Sequence, residues 1–417
     1  MKAKVQVPKI ITAVDFGSSA LRAMSATQNA DGTFHILGVE EISKCGYIKN
    51  GIITNSTDAS IKLGKILHLL KNRIGCQEDI QSAFFSLGGR LLQEKIVPVL
   101  RNFPSKTYIT QPLLDEMQKE SMEKIAKKCP GMTGINSEAI RYTLDDEVQT
   151  EVPQKTQKAQ HIKVDYSVSI LKEETWEKLK GSCDRGKVAI NYCWAKPLPQ
   201  MTALLQDRDC EEGCAILDFG AQTTTLSIYG SNYCQLVKVV PLGSDHITQD
   251  LQSLNISFDT ADKLKKRFGY ASPRYIKQEQ LLKMSSTDAN NPTITLSTAL
   301  IAQCIKARLD EMVAPLLAEI EKAKDRIGHI YVTGGGAMLQ GLIPYLQDKT
   351  GLPTDIGSHA DWLDESTEKE YYKPMYATLI GTIVLGADYQ KEHTKPLTNP
   401  PFRTKVEEMI KNIFTQD

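Results

Sequence analysis

Ile10-Ile11-Thr12-Ala13-Val14-Asp15-Phe16-Gly17-Ser18-Ser19 and Cys214-Ala215-Ile216-Leu217-Asp218-Phe219-Gly220-Ala221-Gln222-Thr223-Thr224-Thr225 share one order of residues. Each is a short apolar run, rich in β-branched side chains, that ends in Asp-Phe-Gly and hydroxyls. Such a run reads as a buried strand, and the Asp-x-Gly that closes it as a tight turn into a second strand. Residues 21–26 continue the first unit as a strand, 29–32 turn, and 34–39 make a third strand. The second unit repeats this with 226–229, a turn at Gly230-Ser231-Asn232, and 235–240. A repeated supersecondary unit in the two halves of a chain predicts two lobes of similar construction.

The rest of the chain supports a division of this kind. Its 417 residues exceed one ordinary core. Residues 56–72 read as an amphipathic helix, with Leu63, Ile66, Leu67 and Leu70 on one side. Residues 82–87 are a strand running into Gly88-Gly89, after which the pattern changes, and 149–160 are a polar loop. Residues 244–254, 259–268, 295–324 and 376–387 are read as helices, and 284–291 as a polar loop. Lys+Arg and Asp+Glu are both 50, so no net field gathers nucleic acid. Nine irregularly spaced cysteines without a CxxC pair are expected to be reduced residues of a cytosolic protein. The N-terminal run is too short for a signal segment, and no stretch is apolar enough to span a membrane.

The loops carry the chemistry. A strand ending in Asp-x-Gly gathers backbone N–H groups and hydroxyls at one point, a nest for phosphate oxygens. Asp15 and Asp218 would repel bare phosphate, so their expected partner is hydrated Mg²⁺. Ile330-Tyr331-Val332-Thr333 runs into Gly334-Gly335-Gly336, where a backbone without side chains lets a base or ribose approach closely. Each loop alone is a common turn; the three in this order are specific to a nucleotide site.

This order resembles the actin-like ATPase superfamily and, within it, the bacterial cell-division FtsA family. Pro241-Leu242-Gly243-Ser244-Asp245-His246-Ile247-Thr248-Gln249-Asp250 is similar to the family's segment after the second phosphate hairpin. Ala261-Asp262-Lys263-Leu264-Lys265 with Gly269 resembles its Ala-Glu-x-x-Lys…Gly helix, and 305–312 its long helix before the adenosine loop. The resemblance implies an α/β, two-lobed actin-like ATPase fold with an FtsA-type inserted subdomain in the first lobe. Residues 8–82 and 162–206 would form that lobe, and 83–161 the insert. Residues 207–245 and 325–390 would form the second lobe's core, 246–324 its smaller, partner-docking subdomain, and 391–417 a linker and terminal helix. It further implies ATP and Mg²⁺ as cofactors. Asp15, Gly17, Ser18 and Ser19 match the first phosphate loop, and Asp218, Gly220, Thr223 and Thr224 the second. Gly334, Gly335 and Gly336 match the adenosine loop, and Asp262 and Lys265 the helix that touches ribose and base.

Three departures from the family pattern predict slow turnover. Ala20 stands where many relatives carry a phosphate-contacting Lys. Ala221-Gln222 replaces Gly-Gly. Lys196 falls where hydrolysing relatives carry Gln or Glu to orient water, and a charged ammonium accepts no proton. Gln200 lies within reach in sequence as a weak stand-in, so the catalytic residue is unknown and ATP is expected to act as a structural ligand or polymerisation switch.

Val406, Met409, Ile410, Ile413 and Phe414 recur at helical spacing beside Arg403, Lys405 and Lys411. That pattern suits a helix lying in a membrane interface, or one packed on the body. The resemblance implies the former. It also implies self-assembly into filaments and peripheral attachment to the inner face of the cell membrane at the division site. The tail of the tubulin-like protein FtsZ would dock near Lys306 and Arg308, and later division proteins on the insert. Two other readings share the fold: a PilM-like pilus-assembly protein, and a small-molecule kinase, which needs an Asp base that 188–205 does not supply.

Overall fold

A computed structural model describes residues 9–43 and 46–392. Two five-stranded sheets form its centre. The first runs in the order Ala189–Ala195, Ser82–Leu87, Ile11–Phe16, Ala20–Gln28, Phe34–Ser43. The second is Thr354–Ile356, His329–Thr333, Cys214–Phe219, Thr224–Gly230, Tyr233–Val240. The two orders are the same. In each, the Asp-bearing strand is antiparallel to its successor in the chain and parallel to a strand that returns from far away. Ile11–Phe16 is buried at every position, which is why its sequence is a continuous apolar run rather than an alternating one.

Two helices cross between the sheets. Pro197–Leu204 follows the last strand of the first sheet but packs Ala203 and Leu204 on Cys214, Ile216 and Tyr229 of the second. Ala377–Glu392 follows the second sheet but sets Ile380, Ile383 and Val384 against Ile11, Ala13 and Phe84 of the first. The assignment of 325–390 to the second lobe is therefore corrected from about residue 360 onward: the apolar face of this helix closes the first lobe. The segment leading into it lies there too, since Asp364 N donates to the Phe34 carbonyl and the Asp364 carboxylate meets His35 Nδ1 at 2.9 Å. At the crossing, a Cβ on Gly381 would stand 1.8 Å from the Pro199 carbonyl oxygen, so the two backbones touch.

The insert is a four-stranded sheet, Gln93–Tyr108, Lys158–Lys172, Met132–Leu144, Glu147–Gln149, backed by the helix Gln111–Lys128. Val97, Val99, Val164, Tyr166 and Val168 meet Leu114, Met117 and Ile125 in its own core. Its sheet begins at Gln93 and ends at Lys172, later on both sides than the 83–161 read from sequence. Ser82–Leu87 belongs to the first lobe, where it pairs with Ile11–Phe16 and Ala189–Ala195. The expected polar loop at 284–291 is framed by a hairpin, Leu281–Ser285 with Thr293–Ser297, whose Leu282, Met284, Ile294 and Leu296 cover the second-lobe core. Polar residues alternate with these four, the pattern of strands with one face covered and one exposed.

Where the insert meets the body, Asn136 donates to the Cys193 carbonyl at 3.3 Å and accepts from Ala195 N at 2.6 Å. Ser167 lies 2.7 Å from Glu94 and 3.3 Å from the Cys234 carbonyl, so the same junction touches the second lobe. Burial pushes Glu94 up to about 7, against the hydrogen bonds of Ser167 and Ser169 and with the help of Glu138. Burial alone raises Glu138 to about 7.

Gly381→Ala is expected to lower the melting temperature, at a cost of about 1–3 kcal/mol or more, because backbone rather than a pliable side chain must yield; thermal unfolding measures it. Glu94 binds its proton more tightly folded than unfolded. Its contribution is thus fully present below the ordinary carboxylate pKa and is lost as pH rises through about 7. Glu94→Gln should raise stability at pH 8 by on the order of 2 kcal/mol and change it little at pH 4.5, read from denaturant midpoints at the two pH values.

Candidate functional site

The two Asp-Phe-Gly turns are built alike. Gly17 N donates to the Ala20 carbonyl at 3.0 Å and Gly220 N to the Thr223 carbonyl at 2.9 Å. A Cβ on either glycine would come within 2.8 Å of the carbonyl it caps. The glycine strand end joins them because Thr333 pairs in parallel with Asp218. Gly334 has φ +83°, and a Cβ there would lie 2.3 Å from Asp218 Oδ1; one on Gly336 would lie 2.8 Å from Phe219 Cβ. Gly335 has open space before it. Together these loops line a cleft of about 1250 Å³ between the lobes, roomier than the roughly 300–1000 Å³ of a usual small-molecule site.

Asp15, Gly17, Ser18, Ser19, Asp218, Gly220, Thr223, Asp262, Lys265, Gly334, Gly335 and Gly336 all line this cleft. Thr224 does not. It is buried, and its hydroxyl donates to the Leu242 carbonyl at 2.8 Å. Thr225 lines the cleft instead, since it is the cross-strand partner of Asp218 and so shares its face. Gln222, read only as a departure, accepts from Asn50 N at 2.8 Å, while Gly51 N donates to Ser18 Oγ at 3.0 Å. The small loop carrying Asn50 and Gly51 thus touches both turns and ties the lobes across one end of the cleft.

Charge in the cleft is already paired. Lys196 Nζ lies 2.7 Å from Asp15 Oδ1. Gln200 Nε2 donates to Asp218 Oδ2 at 2.7 Å and to Thr378 Oγ1 at 3.1 Å, so the amide expected to orient water is held by protein groups. Burial pushes Asp218 above the usual carboxylate range, opposed by the Lys196 charge and the Gln200 hydrogen bond. Lys265 donates to the Ser244 carbonyl at 2.9 Å and Thr248 Oγ1 at 2.6 Å, and pairs with Asp262 at 3.1 Å; burial draws its pKa down. Lys265 and Asp262 therefore brace the start of the helix Ser244–Gln252 as well as facing the cleft. His246 acts in the same place, its Nδ1 accepting from Gly243 N at 3.1 Å.

The two carboxylates do not fit the expected hydrated Mg²⁺. That ion keeps several waters and needs room for a near-octahedral shell. Here Asp15 Oδ1 faces an ammonium, Asp218 Oδ2 holds an amide, and Asp218 Oδ1 lies beneath Gly334. The fit to a polyphosphate is better: two glycine turns with exposed hydroxyls, one cation between them, and an open glycine shelf at Gly335.

The proposed partner residues are engaged within the chain. Lys306 pairs with Asp310 at 2.6 Å; Arg308 grips Asp250 through Nε and Nη2 at 2.6 and 2.7 Å and reaches Glu311 through Nη1. Val406, Met409, Ile410, Ile413 and Phe414 lie outside the described residues.

The glycine shelf allows a separation of packing from binding. Gly335→Val should leave the melting temperature unchanged, because its Cβ meets nothing, and weaken ATP binding about tenfold or more by filling the cleft. Gly334→Ala should lower the melting temperature, because it strains φ and drives a methyl onto Asp218. Calorimetric titration with ATP and thermal unfolding of both variants check this.

Comparison with known proteins finds similarity in both sequence and fold. Residues 215–381 match the profile of the family described as cell division protein FtsA. Cell division protein FtsA of Pseudomonas aeruginosa is 21% identical over 402 residues, spanning 94% of this chain and 92% of that one. That of Borreliella burgdorferi is 22% identical over 427 residues, 98% of each. Among solved structures, the PilM-PilN type IV pilus biogenesis complex superposes with a TM-score of 0.64 at 15% identity, over 90% of this chain and 98% of that one. MreB5 of Spiroplasma citri bound to ADP superposes with 0.54 at 14% identity, over 93% and 99%. By sequence the chain is similar to the FtsA family of cell division proteins, and its mixed α/β, actin-like fold is similar to those of PilM and MreB5.

Proposed function

We propose that the chain binds ATP in the interlobe cleft and serves in cell division as a nucleotide-dependent scaffold. In this reading it polymerises, tethers FtsZ filaments to the inner face of the cytoplasmic membrane, and recruits later division proteins through the insert. The observation that carries it is the convergence of the two Asp-Phe-Gly turns and the Gly334-Gly335-Gly336 shelf on one cleft, in a chain related to FtsA. ATP would lie with its phosphates against Gly17, Ser18, Gly220 and Thr223 and its adenosine toward Gly335, Asp262 and Lys265. With Gln200 held by Asp218 and Thr378, turnover is slow, and bound nucleotide sets the relation of the lobes.

Membrane attachment would come from residues 403–414, on the strength of their amphipathic spacing. Among the described residues no helix is long and apolar enough to cross a membrane. With Lys306 and Arg308 paired internally, the FtsZ tail would meet the remainder of the 246–324 subdomain. A second reading, a pilus-assembly protein, is favoured by the superposition on the PilM-PilN complex. The kinase reading has no support in the cleft strand and helix, since residues 189–205 contain no Asp.

Co-sedimentation with anionic liposomes and FtsZ, with ATP present, tests the proposal. The full chain should sediment with the liposomes and bring FtsZ with it. A chain ending at Pro401 should stay folded, bind ATP and remain in the supernatant. Liposome binding without capture of FtsZ would favour the pilus reading.

A further inference from the structure

We infer that Lys196 supplies the cation that the two acidic turns require, so that this cleft binds a nucleoside triphosphate without depending on a divalent metal. The inference rests on the reading that the cleft holds a nucleotide, and names what balances the charge there.

Three observations place the ammonium by design of the fold. Its Nζ is 2.7 Å from Asp15 Oδ1, and its charge is also felt by Asp218 on the opposite turn. Its side chain lies over Gly88, where a Cβ would come 3.0 Å from Lys196 Cδ and 3.5 Å from Cε; any other residue at 88 would crowd the stem. Its backbone is fixed at both ends, N donating to the Leu87 carbonyl at 2.8 Å and its own carbonyl accepting from Gln200 N at 3.1 Å. The lysine therefore starts the crossing helix that also carries Gln200, and both side chains point at the paired carboxylates.

The other cations lining the cleft are tied to carboxylates outside the two turns or stand on its rim. Arg22 is bound to Glu41 at 2.7 Å, Lys265 and Lys266 to Asp262, and Lys373 to Glu370; Lys49 stands on the exposed rim loop. A polyphosphate entering between two carboxylates meets like charge unless a cation lies between them. In a sheltered cleft an attraction at about 4 Å is several times stronger than in bulk water. A divalent ion would fill this need in an open site, but three of the four carboxylate oxygens are in contact with Lys196, Gln200 and Gly334, which leaves Asp15 Oδ2 alone to hold it. A lysine has three donors and can hold Asp15 and phosphate oxygens at once.

The test is calorimetric titration of the full chain with ATP, once in excess Mg²⁺ and once in excess EDTA. The affinities should agree within about threefold. Lys196→Gln should lose about tenfold or more in EDTA and recover most of it in Mg²⁺, because the freed carboxylates can then take the ion. Lys196→Arg, which keeps the charge, should behave as the parent, and melting curves of both variants report on folding. The inference is overturned, with the nucleotide reading intact, if the parent itself loses about tenfold or more in EDTA and Lys196→Gln loses no more than the parent. Absence of ATP binding in both buffers overturns the nucleotide reading and this inference with it.

Discussion

The contact between Gly381 and Pro199 is the constraint on which the rest depends. Two helices can cross with their backbones touching only where one of them has no side chain, and Gly381 provides that place. A second glycine on the same helix, Gly386, lies against the Phe84 ring, so the helix is pressed from both sides. A glycine inside a helix costs roughly 0.5–1 kcal/mol relative to alanine, and here two are offset by packing. Because each helix lies on the sheet of the opposite lobe, the crossing holds the sheets at a separation that leaves a cleft. The same helix pair brings Lys196 and Gln200 to that cleft from one side and Thr378 from the other.

Much of this was legible in the residues themselves. A β-branched run stopped by Asp-Phe-Gly can do little else than make a strand and a turn, so both hairpins and the lobe repeat were readable. The glycine shelf was readable for the same reason. Less legible was everything that needs a partner from elsewhere. The long insert strands Gln93–Tyr108 and Lys158–Lys172 carry Lys, Pro and Gln on exposed positions, and Pro98 and Pro104 are tolerated because Gln93–Tyr108 is an edge strand. The helix Ala377–Glu392 has apolar or small residues around most of its surface, so its sequence does not say which lobe it covers. Thr224 and Thr225 differ by one step along a strand, and only the register with Asp218 tells which enters the cleft.

Lys196 is the residue whose meaning changed most. In sequence it stood out as the wrong group for activating water. In the fold it is the counter-charge of Asp15, seated on Gly88. One substitution thus removes a catalytic possibility and strengthens a binding one. The junction at Glu94, Glu138, Ser167 and Asn136 adds a second polar region, at which the insert touches both lobes through Cys193, Ala195 and Cys234.

The near-equivalence of the two turns makes their differences informative. One wall of the cleft presents Ser18, Ser19 and an ammonium bound to the Asp of its own turn; the other presents Gln222, Thr223 and Thr225, and its lysines, Lys265 and Lys266, are bound to Asp262 away from the turn. A pocket with two identical walls would accept a linear anion in either orientation. This one has a sense of direction, and a ligand with unlike ends can be seated in it only one way round.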